Sequence, residues 1–596
     1  MNPASQTLTL ATQWQCEESG FNSADGERLF YRHWSHKLAT GDCTRCFVFL
    51  HRGHEHSGRI QPLVEQVCDV GDLAFAHDAR GHGYSPGARG DAPDFQTLVA
   101  DLHAFVQHIH EQFEIPFESI FVIANSVGAV VASTWLHDYA VPIRGCVMIA
   151  TAFDIKLYVP LAKPALRLGI KFNPNLFVTS YIAGRMLTSD PAQAAAYDTD
   201  PLIAKSISAR ILLQLADTSN RIVADAQAIH TPILMLSAGK DYVVTEKPQL
   251  AFYAGLSSKL KHYLKLSNSR HAVLYEAKAI QQQAIDAIRE FAASCFVAPL
   301  PSSSEMACPA PDGKGIRQYE ALKQGLVDGF AMRCFYALQR VSLKYMGRLS
   351  QGMSIGLDHG FDSGMSLDYV YKNRAQGKLL IGGAIDRGYL DAIGWRGIRL
   401  RKTQLQTLLT QSILTHDSKQ TLRILDVAAG GGRYALEVLK RFSDRDIQLE
   451  LRDFDDENLR NAMLLAQELG IEHKVSFKCC DAFAKSSYEG QEKYNIVIVS
   501  GLFELFADNA PICQALAGIA SQSDNKAFLI YTAQPWHPQL ELIAQTLRNH
   551  KDEAWVMRPR PQIEMDALVT NAGFAKTQSM IGLDAIFTVS VAARQD

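Results

Sequence analysis

The chain lacks a basic, apolar leader. Its opening, MNPASQTLTLATQWQCEE, is small and polar, so no secretory signal is expected. It also lacks a cysteine framework. Eleven cysteines in 596 residues is an odd number, and several fall inside apolar strand-like runs, which excludes a disulfide scaffold and fits a reducing cytoplasm. The single C-x-x-C, Cys43 to Cys46, has no second pair to complete four ligands, so no metal is expected there. Charge of one sign is missing too: 59 Lys plus Arg against 62 Asp plus Glu leaves −3, which excludes a chain-wide nucleic-acid footprint. Only one uncharged run reaches membrane length, SIFVIANSVGAVVASTWL at 119–136. It carries Asn125, Ser126 and Gly128 in its middle and is expected to be a strand turning into a helix, not a span.

What is present is core-forming material. Hydrophobic residues make up 47% of the chain, and a chain this long is expected to divide into two to four domains, at roughly 150 residues each. The clearest break is VAPLPSSSEMACPAPDGKG, 297–315, with four prolines and three serines in 19 positions. Proline fixes its own backbone and disfavours helix before it, so this stretch is expected to be an extended linker. Before it, apolar runs alternate with helical periodicity: CFVFLH (46–51), LAFAHDAR (73–80), FVIAN (121–125), CVMIATAF (146–153), PILMLSAG (232–239) and HYLKLS (262–267). Continuous apolar strands separated by helices imply a parallel sheet covered on both faces. After the linker, a helical region (316–420) leads to a second series: RILDVAAG (423–430), QLELRDF (448–454), KVSFKCCDAF (474–483), NIVIVSG (495–501), KAFLIYT (526–532) and AIFTVSV (585–591). No internal repeat relates the two. The expected architecture is α/β twice, with domains at 20–296 and 421–596.

In the first domain, Ile120 to Ala124 reads as a strand, followed by Asn125-Ser126-Val127-Gly128 and an apolar helix. A serine on a sharp strand-to-helix turn exposes its hydroxyl above the sheet, and the amide of the next residue, Val127, can bind an oxyanion. Ala124 stands where the G-x-S-x-G pattern has its first glycine. Asp241 follows one strand and His271 the next, in the order serine, acid, histidine that such a fold uses. His271 would take the Ser126 proton, and Asp241 would hold its imidazole in the required tautomer.

HRGHEHSGR (51–59), DARGHGYSPGARG (78–90) and LTSDPAQAAAYDTDPL (187–202) then make the region resemble the monoglyceride lipase and lysophospholipase branch of the α/β-hydrolases. That resemblance implies that the amide of Arg52 supplies the second oxyanion donor, although the branch has glycine there and Arg52 brings a bulky cation. It also implies a helical cap over the serine, about 154–228, whose Leu, Ile, Phe, Val and Tyr residues suit an acyl chain.

In the second domain, a strand ends in Asp426-Val-Ala-Ala-Gly430-Gly431-Gly432, and a glycine-rich turn between strand and helix lets the backbone approach a bound nucleotide. Asp453 closes the next strand, placed to hold ribose hydroxyls. DFDDENL (453–459), Cys480-Asp481-Ala482-Phe483 and IVIVSGLFELF (496–506) resemble the motifs of class I S-adenosylmethionine-dependent methyltransferases. The resemblance implies S-adenosyl-L-methionine as cofactor, with Asp453 on its ribose, Asp481 on the adenine amino group, and Gly430 and Gly432 beside the methionine end. Asp426, Ala428, Phe454, Ala482 and Ser500 complete the implied cofactor set. Residues 354–402, with YTAQPWHPQLE at 531–541, resemble a bacterial methyltransferase family, some of whose members are fused to hydrolases. Candidate acceptor-site residues are Tyr369, Arg374, Asp386, Arg387, Trp395, Arg396, Trp536 and His537.

Residues 316–402 carry fourteen Lys or Arg against seven Asp or Glu. One helix is expected from about Arg317 to Met346, with Tyr319, Leu322, Leu326, Phe330, Cys334, Leu338, Val341 and Tyr345 as an apolar stripe packed on the core and Arg333, Arg340 and Lys344 solvated. The alternative use of such a basic amphipathic helix, at 317–346, is peripheral contact with an anionic membrane. The combined expectation is a cytoplasmic enzyme joining a serine carboxylester hydrolase to a methyltransferase, acting on small molecules or lipids and not on nucleic acid. Two alternatives stay open: a methyltransferase with the hydrolase as a binding module, and a hydrolase regulated by a cofactor-sensing second half.

Overall fold

The structure is a computed structural model that describes residues 13–37, 45–308, 313–327, 329–417 and 420–595. Cys43 and residues 309–312 of the expected linker lie outside them. The chain separates into two compact units, 1–300 and 301–596.

The first unit is built on eight strands: β1 (Trp14–Asn22), β2 (Arg28–His36), β3 (Cys46–Leu50), β4 (Leu73–His77), β5 (Ile120–Asn125), β6 (Gly145–Ile149), β7 (Ile233–Ala238) and β8 (Lys261–Leu266). Their order is β1-β2-β4-β3-β5-β6-β7-β8. Only the edge departs from parallel, since β2 runs antiparallel to both β1 and β4. Strands β3, β5 and β6 are wholly buried, which is why their sequences are unbroken apolar runs. The β1–β2 pair was not anticipated, and β1 begins before the expected boundary at residue 20. Between the buried Trp14 and Phe21 its residues 15–19 are all exposed, the pattern of an edge strand, not of a buried one.

Helices α1 (Phe95–Phe113) and α2 (Val127–Asp138) cover the sheet, and the 119–136 run is the expected strand, turn and helix. No helix among the described residues is long and apolar enough to cross a membrane. The insertion after β6 carries α3 (Ala162–Phe172), none of whose residues is buried, and a small hairpin pairing Phe177–Thr179 with Ser206–Ser208. Helix α4 (Ala209–Ala224) packs on α1, α2 and α3, with Leu212, Leu213, Leu215 and Ile222 buried. Helix α5 (Lys278–Val297) closes the unit.

The second unit opens inside the expected linker, where a short helix spans Ser303–Met306. The helix expected over 317–346 is two helices, α6 (Lys314–Lys323) and α7 (Phe330–Met346), because Gly325 and Gly329 adopt positive φ (67° and 84°) between them. Its apolar stripe is not packed on the core. Leu322 is buried, but Phe330, Leu338, Val341 and Tyr345 are 80, 66, 54 and 68% exposed, and α7 seats only its Tyr336 side. Helices α8 (Gln351–His359), α9 (Gly364–Lys372), α10 (Leu379–Leu390) and α11 (Ile393–Leu414) follow.

The second sheet comprises β9 (Leu422–Val427), β10 (Ile447–Asp453), β11 (Val475–Cys479), β12 (Tyr494–Val499), β13 (Ser523–Ala533), β14 (Phe574–Ile581) and β15 (Thr588–Arg594). The order is β11-β10-β9-β12-β13-β15-β14, parallel except for β15, which is antiparallel to β13 and β14. Helix α11 lays Leu405, Leu408, Leu409 and Ile413 against one face of it, together with α12 (Arg433–Arg441) and α13 (Asp456–Leu469).

Candidate functional sites

Ser126 sits between β5 and α2 with φ 52° and ψ −111°, a conformation that costs an L-residue about 1–3 kcal/mol and persists only when its surroundings hold it. Here the Ser126 amide donates to Ile149 O at 2.8 Å, and its carbonyl accepts from Ala129 and Ala152. Gly128 is required: a Cβ there would stand 2.6 Å from the His51 carbonyl oxygen. Ala124, buried in β5 between Leu50 and Met148, fits without distortion of the strand register.

The Ser126 hydroxyl donates to His271 Nε2 at 2.9 Å, and His271 Nδ1 donates to Asp241 Oδ2 at 2.8 Å. Burial pushes the Asp241 carboxyl upward, but His271 and the amides of Val243 and Val244 on Oδ1 outweigh it and hold the group below its usual range. Asp241 is therefore an acceptor only, and that fixes the His271 tautomer with Nε2 free to take the serine proton. Val127 is the first residue of α2, so its amide has no partner within the helix.

Arg52 lies just past β3 and lines the same narrow cavity of about 90 Å³ as Ser126, Val127 and His271. Its side chain departs from the expected intrusion of a bulky cation. Arg52 is 4% exposed and its guanidinium is turned onto Glu55, with Nε and Nη2 at 2.9 and 2.5 Å from the two carboxylate oxygens and Nη1 buried without a partner; it lies 5.2 Å from the centre of the Tyr275 ring. The rest of the cavity is largely apolar, with Ile155, Leu157, Val178, Ile207 and Leu212 among its walls. Of the neighbouring histidines, His51 receives the Ala79 amide on Nε2, and His56 Nε2 bonds Asp200.

In the second unit the loop after β9 and the end of β10 border a cavity of about 400 Å³. Ala428, Gly430 and Gly432 have positive φ (55°, 56° and 58°), and Gly432 must lack a side chain because a Cβ would lie 2.7 Å from Leu451. Asp453 Oδ2 accepts from the Gly430 amide at 2.8 Å, while Oδ1 accepts from the Asp455 amide and Asn458 Nδ2. Phe454 and Ser500 line the cavity with them, and Ser500 Oγ is buried without a partner. Asp426 lies beneath the loop, wholly buried. Desolvation pushes its carboxyl up to about 8, against the Tyr434 hydroxyl that donates to Oδ1, and Oδ2 has no partner.

These features fit a nucleoside with a cationic tail. A Cβ on Gly430 or Gly431 would meet nothing within 4 Å, so the loop backbone is open to a ligand. Asp358, Asp362, Asp368, Asp453 and Asp455 outnumber Arg401 and Arg433 around it. Asp481 and Ala482 depart from expectation: they sit on the turn after β11, outside the cavity lining, and the exposed Asp481 carboxylate accepts the Phe483 amide of its own turn.

A second cavity, about 240 Å³, shares Asp362, Leu367, Arg401, Gly501 and Leu505 with the first and extends between α7–α11 and residues 534–557. Of the candidate acceptor residues it contains Trp395 and His537 only. Asp386 instead ties down α8 and α9, accepting from Ser350, the Gly352 and Gln376 amides, and Tyr369. Arg387 pairs with Asp391 and Arg396 with Asp584, and Arg374 is exposed. Glu504, Gln534, Tyr389 and Trp555 line the cavity and were missed, because they come from four distant segments without a local pattern.

Comparison with known proteins agrees with both units. Residues 288–594 match the family described as "Putative methyltransferase", and residues 42–278 the family described as "Serine aminopeptidase, S33". The uncharacterized protein YnbC of Escherichia coli (strain K12) is 41% identical over 584 residues, 97% of this chain and 98% of that protein. Monoglyceride lipase of Homo sapiens is 28% identical over 237 residues, 38% of this chain and 73% of the lipase. Phospholipase YtpA of Bacillus subtilis (strain 168) is 25% identical over 232 residues, 38% of this chain and 88% of the phospholipase.

Proposed function

Because the chain belongs to the "Putative methyltransferase" family and carries an α/β-hydrolase unit ahead of that domain, we propose that it is a bifunctional enzyme, a serine carboxylester hydrolase joined to an S-adenosyl-L-methionine-dependent methyltransferase. The observation that carries the first half is the unbroken chain Ser126–His271–Asp241, at 2.9 and 2.8 Å, opening on an apolar cavity. His271 draws the hydroxyl proton as Ser126 attacks the ester carbonyl, and returns it to the departing alcohol; Asp241 stabilises the imidazolium between the two steps. The amides of Val127 and Arg52 receive the oxyanion. The apolar walls suit the acyl chain of a monoacylglycerol or lysophospholipid, in keeping with the relatives' names. What speaks against a disabled hydrolase is the Arg52 side chain, two of whose three guanidinium nitrogens are held by Glu55.

In the second unit Asp453 would hold a ribose hydroxyl, Gly430 and Gly432 the methionine end, and Phe454 the base, with Ser500 Oγ as a further polar contact. Bound there, S-adenosyl-L-methionine supplies an electrophilic methyl group. The place we assign is the cytoplasm, which suits ten free cysteines among the described residues. The exposed apolar face of α7, with Arg333, Arg340 and Lys344 beside it, supports peripheral contact with an anionic membrane. The test is twofold: a fluorophosphonate should label Ser126, and calorimetry should show binding of S-adenosylmethionine. Failure of either removes the corresponding half.

A further inference from the structure

Within the methyltransferase reading, on which this rests, we propose that the 240 Å³ cavity takes a neutral phenol of one or two rings as methyl acceptor, and that Glu504 is the catalytic base that removes its hydroxyl proton. Size comes first. At about 240 Å³ the space is below the ~300 Å³ at which pockets for drug-sized molecules begin. The walls are ring-shaped surfaces: Trp395, Trp555, Phe361 and Phe587, with aliphatic and thioether side chains between them. Apolar walls alone would suit many molecules. The polar atoms narrow the choice.

Buried polar groups are almost always hydrogen-bonded, and an orphan costs about 1–3 kcal/mol. This cavity collects several. Glu504 Oε2, both amide atoms of Gln534, Tyr389 Oη and Trp555 Nε1 are buried without a partner, on residues no more than 8% exposed. A ligand with a few polar substituents on a flat apolar frame would satisfy them.

Charge decides what the reacting group is. Arg401 is shared by this cavity and the one bordered by the glycine loop, and its Nη1 lies 3.3 Å from Glu504 Oε1. That pairing matches its charge, although its Nε is buried without a partner, and a carboxylate acceptor would also face the Glu504 carboxylate. A neutral amine attacks without first losing a proton and leaves the free Oε2 unused. An alcohol is too weak an acid for a carboxylate to deprotonate. A phenol, with a pKa near 10 like tyrosine, can pass its proton to a positioned carboxylate as the new bond forms. His537, the other candidate, already receives the Gln539 amide on Nδ1, so its proton is on Nε2 and it can only donate into the cavity. In the step, the phenol O–H bond breaks and its proton goes to Glu504 Oε2. The oxygen forms a bond to methyl, the methyl–sulfur bond of the sulfonium donor breaks, and the electron pair stays on the resulting thioether.

The probe is 2-naphthol, whose neutral and ionised forms emit at different wavelengths and whose excited state transfers its proton readily to a nearby acceptor. The full chain should bind it by equilibrium dialysis, and the bound molecule should show naphtholate emission without any cofactor. Glu504→Gln keeps the shape and the contact with Arg401. It should bind 2-naphthol within about threefold of wild type, show only neutral-naphthol emission, and lose formation of 2-methoxynaphthalene by at least about 100-fold, the lower end of general-base effects. Ile543→Trp, which fills the cavity, should abolish naphthol binding and leave S-adenosylmethionine binding intact. Naphtholate emission and methylation that survive Glu504→Gln would overturn the base. A wild type that binds S-adenosylmethionine but not 2-naphthol would overturn the acceptor class. If wild type binds 2-naphthol but no S-adenosylmethionine, the methyltransferase reading fails, and the emission still decides whether Glu504 takes the proton.

Discussion

Replacing Asp453 by alanine tests whether the glycine loop of the second unit holds a nucleoside. Asp453 is 4% exposed and borders the cavity beside Gly430. Oδ1 already accepts two protein donors and Oδ2 only one, so the group can take one further hydrogen bond, on Oδ2, from a ribose hydroxyl. Charge-assisted bonds contribute about 1.5–3 kcal/mol each. One lost bond at the lower figure comes to about 1.5 kcal/mol, or roughly tenfold in Kd at 1.4 kcal/mol per decade. The change also strips Gly430, Asp455 and Asn458 of their acceptor, so the loop loses its anchor as well as its ligand contact. Asparagine is no mild substitute, because either oxygen replaced by NH₂ would face a backbone donor. Both variants should therefore weaken S-adenosylmethionine and S-adenosylhomocysteine by at least tenfold in calorimetric titration, while fluorophosphonate labelling of Ser126 serves as the control for the first unit. An Asp453→Ala protein that binds within threefold of wild type would refute the assignment of the ribose to this strand end.

Arg52→Ala should destabilise the first unit by about 3 kcal/mol in urea denaturation, the low end for breaking a buried pair, because Arg59 still reaches Glu55 at 3.0 Å. Its esterase rate per folded molecule should hold, since the role assigned to Arg52 is its amide; a loss of turnover would instead place the guanidinium on the substrate. The Asp426 carboxyl, with its pKa raised to about 8 in the folded state and near 4 when unfolded, favours folding fully below pH 4 and loses that contribution as pH rises to 8. Asp426→Asn should accordingly flatten the stability profile between pH 4 and 8, and an unchanged profile would show that Asp426 is ionised throughout. Leu338→Glu places a charge on the exposed apolar face of α7 and should cut co-sedimentation with phosphatidylglycerol vesicles several-fold, with no change on purely zwitterionic ones; equal sedimentation would take α7 off the membrane.

What could be read from residues alone follows the range of the interactions. The buried strands β3, β5 and β6 announced themselves as nearly unbroken apolar runs, and Ser126, Asp241 and His271 because each comes shortly after a strand, in the order serine, acid, histidine. The edge strands β1 and β14 carry blocks of polar residues and were missed. The break between α6 and α7 was visible as Gly325 and Gly329, but the apolar stripe runs through both glycines and outweighed them in a periodicity count. The pairing of Arg52 with Glu55 is local, three residues apart, yet nothing in sequence says which way a guanidinium turns. The acceptor cavity was illegible. Asp386 looked functional and proves to be a structural knot, whereas Glu504 and Gln534 gain meaning only from the burial that leaves them unpaired.

The most direct test of the central claim is the site of covalent labelling by a fluorophosphonate, read by mass spectrometry of the peptide that contains Ser126. The triad geometry predicts one modified residue, Ser126, with labelling abolished in Ser126→Ala and reduced by orders of magnitude in His271→Ala, because serine and base act as a unit. A wild-type protein that is folded and stays unlabelled, or a label that persists at another residue in Ser126→Ala, would contradict it.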